Sequence, residues 1–200
     1  GIFSRTGVNR ERLRLHYNWL PTHGAPRPDR PHLEGFVWLS EALETCRTLR
    51  DVEALLRRVD RDGGMMIFAM DGKGKTEEAA IYECTCSAYR KATLDTGWIA
   101  GTNHYRHFDF DQPQGSASSL RRYRRMQEIL AALMSRDRAP DFPDDLIAIL
   151  ADPAVEVRDA DYGTVYAAVA CPGTAQMWTT LGGYPAASAG RWCSLRWPWR

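Results

Sequence analysis

An asparagine and an arginine stand where they could stabilise negative charge. Asn103 lies in the stretch 102–105, directly after the strand-like run 97–100, and Arg122 lies in the arginine-rich segment that follows. A side-chain amide fixed at a strand end can donate hydrogen bonds to the oxyanion that forms in acyl transfer. A guanidinium on the next helix can add positive charge. The pair indicates acyl-transfer chemistry, although an Asn-His dipeptide is also common in ordinary turns.

The arginine-rich segment predicts a helix that ends near Met134. On a helical wheel, Arg122 lies about 80° from the centre of the apolar stripe, whereas Arg121 lies about opposite it. Arg122 is therefore predicted to be the arginine closest to the core. The alternative is that all four arginines of the segment, Arg121, Arg122, Arg124 and Arg125, are solvated or form salt bridges. A nucleic-acid surface is disfavoured because the cluster is isolated and the chain is almost neutral, with 26 basic and 25 acidic residues. The stripe comprises Leu120, Tyr123, Met126, Gln127, Leu130 and Met134.

The other chemistry-bearing residues do not complete a catalytic set. Cys84 and Cys86 are too close together for the usual pair of zinc ligands, and their spacing is typical of buried thiols on one face of a strand. A cysteine hydrolase that uses one of them with His104 stays open. His104 and His107 lack an evident third metal ligand, so neither a metal nor a cofactor is predicted.

Composition narrows the class of protein. Five cysteines at irregular spacing favour a reducing compartment, so a cytoplasmic location is predicted. No apolar run approaches the ~20 residues of a transmembrane helix, and the balanced charge predicts neither a membrane nor a nucleic-acid partner. A homo-oligomer is left open. Two hundred residues are enough for one domain with a sizeable core, and residues 1–200 are interpreted as a single domain.

The hydrophobic pattern predicts an α+β fold of antiparallel neighbours. In the first half, two helices interrupt the strands: the first covers 35–46, and the second follows a Thr48 capping box and is stopped by Gly63 and Gly64. In the second half, the helices at about 118–134 and 144–150 precede the last strands. The predicted strands cover 13–19, 65–70, 79–84, 87–91, 96–102, 163–170, 176–181 and 192–199.

Motifs in a fixed order resemble one enzyme family. Gly7-Val8-Asn9 precedes Leu13 and Tyr17-Asn18, Thr102-Asn103-His104 follows, and Ser119 stands three residues before Arg122. With Gly63-Gly64-Met65 and the C-terminal hairpin at 163–182, they make the chain similar to the acyl-coenzyme A:6-aminopenicillanic acid acyltransferase family of N-terminal-nucleophile hydrolases, which is related to the choloylglycine hydrolases. The resemblance runs through most of the chain. One departure is Arg12, where family members usually carry glycine, so the geometry of that turn is in question.

The resemblance implies a four-layer αββα sandwich of antiparallel sheets. The family's nucleophilic N-terminal cysteine would precede Gly1, so the chain is expected to lack its first strands and to be inactive alone. The implied activity is that of an amide (C–N) hydrolase or acyltransferase. It would act through a cysteine acyl-enzyme on a small acyl-amide or acyl-thioester, without a cofactor. A non-catalytic or truncated relative that only binds such molecules is the alternative.

The resemblance also assigns roles to particular residues. Asn103 would be the oxyanion-hole donor, and Arg122 would lie at the active site. The matching motifs make Asn18, Tyr17 and His104 the candidate substrate-binding residues.

Overall fold

The chain is described by a computed structural model over residues 5–73, 78–94, 97–111, 115–196 and 198. It divides into two compact units, Gly1–Ser116 and Ala117–Arg200, which are described separately below. The single domain predicted over 1–200 stays a prediction. In the described part of the chain, no helix is long and apolar enough to cross a membrane.

The first unit is built on a five-stranded antiparallel sheet with the strand order β1-β2-β5-β6-β7. A two-residue parallel pair, β3-β4, lies beside it. Two helices, α1 and α2, stand between β3 and β4 in the chain. The bounds are β1 Thr6–Val8, β2 Leu13–Leu20, β3 His32–Leu33, α1 Gly35–Thr45, α2 Leu49–Arg58, β4 Asp60–Arg61, β5 Gly64–Asp71, β6 Glu78–Cys84 and β7 Tyr89–Thr93.

One face of this sheet and the two helices form the main core. Successive side chains of a strand point to opposite faces, so the odd-numbered residues Leu13, Leu15 and Tyr17 of β2 enter this core together. Trp38 of α1 and Leu56 of α2 are fully buried against them. The alternation read from the sequence is confirmed over β2.

Helix α2 begins as predicted and ends earlier than predicted. Thr48 and Asp51 form a complete capping box. The helix stops at Arg58, so the prediction that Gly63 and Gly64 end it was wrong. The buried guanidinium of Arg61 donates from Nη1 to the carbonyls of Leu56 and Val59, each at 2.9 Å. These are orphan carbonyls of the helix end, and Arg61 satisfies them where glycines were expected to act.

The turn between β1 and β2 keeps a glycine-like shape without a glycine. Arg12 has a φ of 61°, in the left-handed region that glycine favours. The side-chain oxygen of Asn9 accepts the N–H groups of Glu11 at 3.0 Å and Leu13 at 3.1 Å. The turn is thus held by Asn9, and the geometry questioned at Arg12 is retained at a conformational cost.

The opposite face of the sheet is covered by irregular chain. Met66 and Ile81 are buried there, and Ile99 packs on them. A strand was predicted over 96–102, but residues 97–102 form none, and Thr96 lies outside the described residues. Gly97 has a φ of 82°, and Gly101 rests against the side chains of Met66 and Phe68. The segment lies over the sheet face instead of pairing with an edge.

The second unit combines helices with a three-stranded antiparallel sheet in the order β10-β9-β8. The predicted strand at 163–170 forms only from Ala168, because the N–H and carbonyl of Thr164 bond to Val157 and Ala186 instead. The strand predicted over 192–199 ends at Leu195, and its residues 197 and 199 lie outside the described residues. The bounds are α3 Ala117–Met134, α4 Asp144–Leu150, β8 Ala168–Cys171, β9 Gln176–Leu181, α5 Ala186–Ala189 and β10 Arg191–Leu195.

The apolar stripe of α3 is only partly as predicted. Tyr123 is buried, but Met134 is 45% exposed, and Leu133 is buried in its place. Leu133 and Ile149 line a cavity of about 210 Å³ between α3 and α4. Packing of α4 at this point shifts the buried side of the last helical turn by one residue.

Candidate active site

Asn103 is fixed against the end of β2. Its Nδ2 donates to the backbone carbonyl of Trp19 at 2.9 Å. This bond orients the side-chain amide, whose nitrogen carries two N–H donors. Asn103 therefore sits in an irregular loop, and it is tied to a strand that it does not belong to. That arrangement holds a hydrogen-bond donor at the edge of the sheet.

His104 is a buried neighbour of Asn103. Its Nδ1 lies 3.0 Å from the hydroxyl of Thr102, and only 5% of the residue is exposed. Gly115 passes so close that a Cβ there would lie 2.5 Å from the Cβ of His104. The imidazole is thus packed into its own loop, and its assignment to substrate binding stays a prediction.

The loop after Asn103 is anchored by a buried carboxylate that the sequence reasoning missed. Glu83, only 1% exposed, accepts the backbone N–H groups of Arg106 and His107, each at 2.9 Å. The Nδ1 of His107 donates to the same carboxylate at 2.8 Å. Three hydrogen bonds offset the cost of burying the charge. The available signal was one acidic residue inside the otherwise apolar C-terminal half of β6.

Tyr105 adds a second anchor. Its hydroxyl lies 2.9 Å from the carbonyl of Pro21 and 2.8 Å from that of Cys84. Burial raises the pKa of this phenol, so it stays protonated and able to donate. Gly64 leaves the space it needs, because a Cβ there would lie 2.5 Å from the hydroxyl and would collide with the carbonyl of Pro21.

The two predicted substrate-binding residues of β2 lie on opposite faces of the sheet. The Oδ1 of Asn18 is 3.2 Å from Nε2 of His16 on the face covered by the irregular loop. Burial, with the charge of Arg14, lowers the pKa of His16 to about 4, so this imidazole is neutral at pH 7. Tyr17 instead packs edge-on against Phe36 in the main core, with ring centroids 4.8 Å apart.

Tyr17 also borders a small cavity of about 170 Å³ on that side of the sheet. The structure therefore does not bring Tyr17 together with Asn18 on one face, and both substrate assignments stay predictions. The cavity is lined by Tyr17, Trp19, Glu34, Gly35, Asp62, Gly63, Gly64 and Met65.

Arg122 belongs to the second unit. It is half-buried on α3, whereas Arg121 and Arg124 are exposed, as the helical wheel predicts. Burial lowers the pKa of Arg122, and the charge of Arg121 adds to the effect. Arg125, three positions further along the helix, pairs with Asp152 at 2.8 Å. Asn103 and Arg122 lie in different units, and their convergence on one cleft stays a prediction.

Comparison with known proteins identifies the family. The family described as acyl-coenzyme A:6-aminopenicillanic acid acyl-transferase matches residues 41–184, which is more than half of the chain and includes both Asn103 and Arg122. The chain belongs to this family. The resemblance inferred from the motifs is thereby confirmed. No curated protein matches the sequence.

Solved structures agree with the family on the fold. A mutant and a variant of conjugated bile acid hydrolase from Clostridium perfringens are similar to this chain, with TM-scores of 0.65 and 0.68. Sequence identity is only 13% and 11%; the matches cover 97% of this chain and 72% and 73% of the hydrolase chains. The predicted α+β fold of the N-terminal-nucleophile hydrolase type, with antiparallel sheets, is confirmed.

Cys84 and Cys86, the two cysteines considered as internal nucleophiles, are unsuited to nucleophilic attack. Cys84 is fully buried, and burial raises the pKa of its thiol to about 12. Cys86 is 1% exposed, donates its thiol to the carbonyl of Gly24 at 3.4 Å, and also has a raised pKa because of burial. Reactive thiols are accessible and have lowered pKa values. Within the described residues, no group of His, Cys, Asp and Glu could hold a metal ion.

Proposed function

We propose that the chain is the oxyanion-binding part of an amide (C–N) hydrolase or acyltransferase that works through a cysteine acyl-enzyme. The family match supports acyl transfer as the reaction class. The observation that carries the proposal is Asn103, whose amide is oriented by the carbonyl of Trp19 within the family's Thr-Asn-His motif. The substrate class is a small acyl-amide or acyl-thioester.

The attacking cysteine is proposed to lie outside the 200 residues of this sequence. The buried thiols of Cys84 and Cys86, whose pKa values burial raises, argue against either of these two cysteines as the nucleophile. The buried His104, bonded to Thr102, likewise makes a poor base for either of them. An N-terminal cysteine that uses its own α-amine as proton acceptor needs neither partner.

The reaction then has two steps. The thiolate attacks the carbonyl carbon, and the C–N bond breaks after the oxygen has carried negative charge. The protonated α-amine returns its proton to the leaving amine, and water or an acceptor amine resolves the acyl-enzyme. The amide of Asn103 donates to the developing oxyanion, and Arg122, which the family resemblance assigns to the active site, favours the thiolate by its positive charge.

The experiment compares two purified proteins. One is the 200-residue chain, and the other is the longer protein that carries an upstream cysteine processed to its N-terminus. We expect acyl-amide turnover and a cysteine-linked acyl-enzyme, detected by intact-mass spectrometry, only in the longer protein. Turnover by the 200-residue chain that Cys84→Ala or Cys86→Ala abolishes would instead establish an internal cysteine. Ligand binding without turnover in the longer protein would favour a binding module.

A further inference from the structure

One buried carboxylate, that of Glu83, anchors the loop that carries Asn103. Cross-strand partners in an antiparallel sheet share a face, and Asn18, Met66 and Glu83 are partners in one row across β2, β5 and β6. Glu83 therefore points to the sheet face on which Asn18 lies. An ionised carboxylate is costly to bury, yet Glu83 is only 1% exposed.

The partners of Glu83 come almost entirely from the loop that carries Asn103. Two are the consecutive backbone N–H groups of Arg106 and His107, and the third is the Nδ1 of His107. The next residue of β6, Cys84, offers its carbonyl to the hydroxyl of Tyr105. Thus the end of β6 holds residues 105–107, while the end of β2 holds Asn103.

We infer that Glu83 is a positioning residue for the reaction: its carboxylate fixes the loop 103–107 so that the Asn103 amide stands at the oxyanion position. This inference rests on the proposed function. It differs from a purely structural role because it predicts a defect in the transition state. An oxyanion donor gives its full benefit only at the right position, and a misplacement of about 1 Å can cost about a hundredfold in rate.

Glu83→Gln is the direct test because it keeps the size of the side chain and removes the charge. In the 200-residue chain, this substitution should shift the side-chain amide signals of Asn103 in ¹⁵N NMR spectra. In the longer protein, kcat should fall about ten- to a hundredfold while KM stays within about twofold. Glu83→Asp, which keeps the charge, should recover part of the lost kcat.

Glu53→Gln is the matched control. Glu53 also accepts hydrogen bonds, from Lys91 at 2.7 Å and Tyr82 at 3.2 Å, but it lies on α2 at the other face of the sheet. It should lower stability without moving the Asn103 signals or kcat. Should Glu83→Gln fail to fold, His107→Leu replaces it, because the His107 side chain is 34% exposed and its loss removes only one of the three hydrogen bonds.

The outcomes separate this inference from the proposed function. Asn103 signals that do not move in a folded Glu83→Gln or His107→Leu variant overturn the positioning role. Moved signals with a reduced kcat support both claims. Moved signals with a wild-type kcat would overturn the positioning role in the reaction, and the kcat of Asn103→Ala then decides whether the oxyanion role fails as well.

Discussion

Two asparagines of the first unit, Asn9 and Asn103, have different roles although they are the same residue type. The amide of Asn9 donates to the carbonyls of Leu43 and Cys46 and accepts two backbone N–H groups of its own turn. The side chain of Asn9 therefore joins the β1–β2 turn to the end of α1. The amide of Asn103 instead donates to the carbonyl of Trp19 near the end of β2, from the loop of the Thr-Asn-His motif. The same residue type therefore braces a turn at Asn9 and is proposed to bind the oxyanion at Asn103.

The turn at Arg12 should become more stable when it receives a glycine. The left-handed φ of Arg12 costs about 1–2 kcal/mol, because its side chain crowds the backbone there. A glycine removes this cost, but it also makes the unfolded chain more flexible, which offsets part of the gain. We expect Arg12→Gly to raise the free energy of unfolding by about 1 kcal/mol in urea titrations. Arg10→Gly, in the same turn without a left-handed φ, should not raise it. A less stable Arg12→Gly would contradict this account of the turn.

Arg122 should act on the nucleophile before the transition state. A positive charge near a thiolate lowers the pKa of the thiol, so its removal raises that pKa. In the longer protein, Arg122→Ala should move the acidic limb of the kcat/KM–pH profile to higher pH, by about one unit. The exposed Arg121 is the control, and Arg121→Ala should leave the profile in place. An unmoved limb in Arg122→Ala would remove this residue from the site.

At the scale of elements, the hydrophobic periodicity of the sequence correctly predicted the strand and the helix start that pack on the main core. The alternation in β2 and the capping box of Thr48 and Asp51 could be read because local pattern and tertiary packing agree there. The conformation of residues 97–102 could not be predicted from the sequence. The apolar residues of this run suit a strand, but they are buried by lying over the sheet face, a non-local effect.

The anchors of the candidate site show the same limit. The Thr-Asn-His motif pointed to Asn103, but nothing local connects it to Glu83, which is twenty residues earlier and meets the loop only in the folded sheet. The end of α2 was misassigned for a related reason. Arg61 reaches back to the helix carbonyls from β4, and no sequence rule for helix ends contains that contact.

Gly64 at the start of β5 should tolerate no side chain. A Cβ there meets the carbonyl of Pro21 and the hydroxyl of Tyr105, so the strand ends and the loop would have to separate. Overpacking of this kind costs about 1–3 kcal/mol. We expect Gly64→Ala to lower the free energy of unfolding by about that amount. Gly63→Ala, whose Cβ would meet only the Thr22 hydroxyl at 3.2 Å, should be nearly neutral, and equal losses would contradict the packing described.

At the scale of the whole molecule, one ion pair with a buried carboxylate should determine part of the stability at acid pH. The pKa of Asp60 is lowered to about 2, chiefly by its hydrogen bond to Arg27, and its carboxylate is fully buried. Because the folded pKa lies below the unfolded value, the contribution is present above pH ~4 and is lost as pH falls from ~4 to ~2. It amounts to about 2 kcal/mol.

Asp60→Asn should therefore be less stable than wild type at pH 7, and the gap should close towards pH 2. Urea titrations at a series of pH values measure this gap. The exposed Asp29, which adds only a small charge effect at Arg27, provides the control substitution Asp29→Asn. A gap of constant size between pH 4 and pH 2 would show that Asp60 does not titrate as described.

The family match covers residues 41–184, and the structural similarity to a bile acid hydrolase covers 97% of this chain, so both comparisons span the two units. The central claim is that one amide in this chain, Asn103, stabilises the oxyanion. The most direct measurement is the steady-state kinetics of Asn103→Ala and Asn18→Ala in the longer protein on several acyl-amides.

Removal of one oxyanion donor costs about 10²–10³ in kcat. We predict such a loss for Asn103→Ala, with KM little changed, because the donor gains strength only as charge develops on the carbonyl oxygen. Asn18→Ala, at a candidate substrate-binding residue, should act mainly on KM. A wild-type kcat for Asn103→Ala across these substrates would contradict the account.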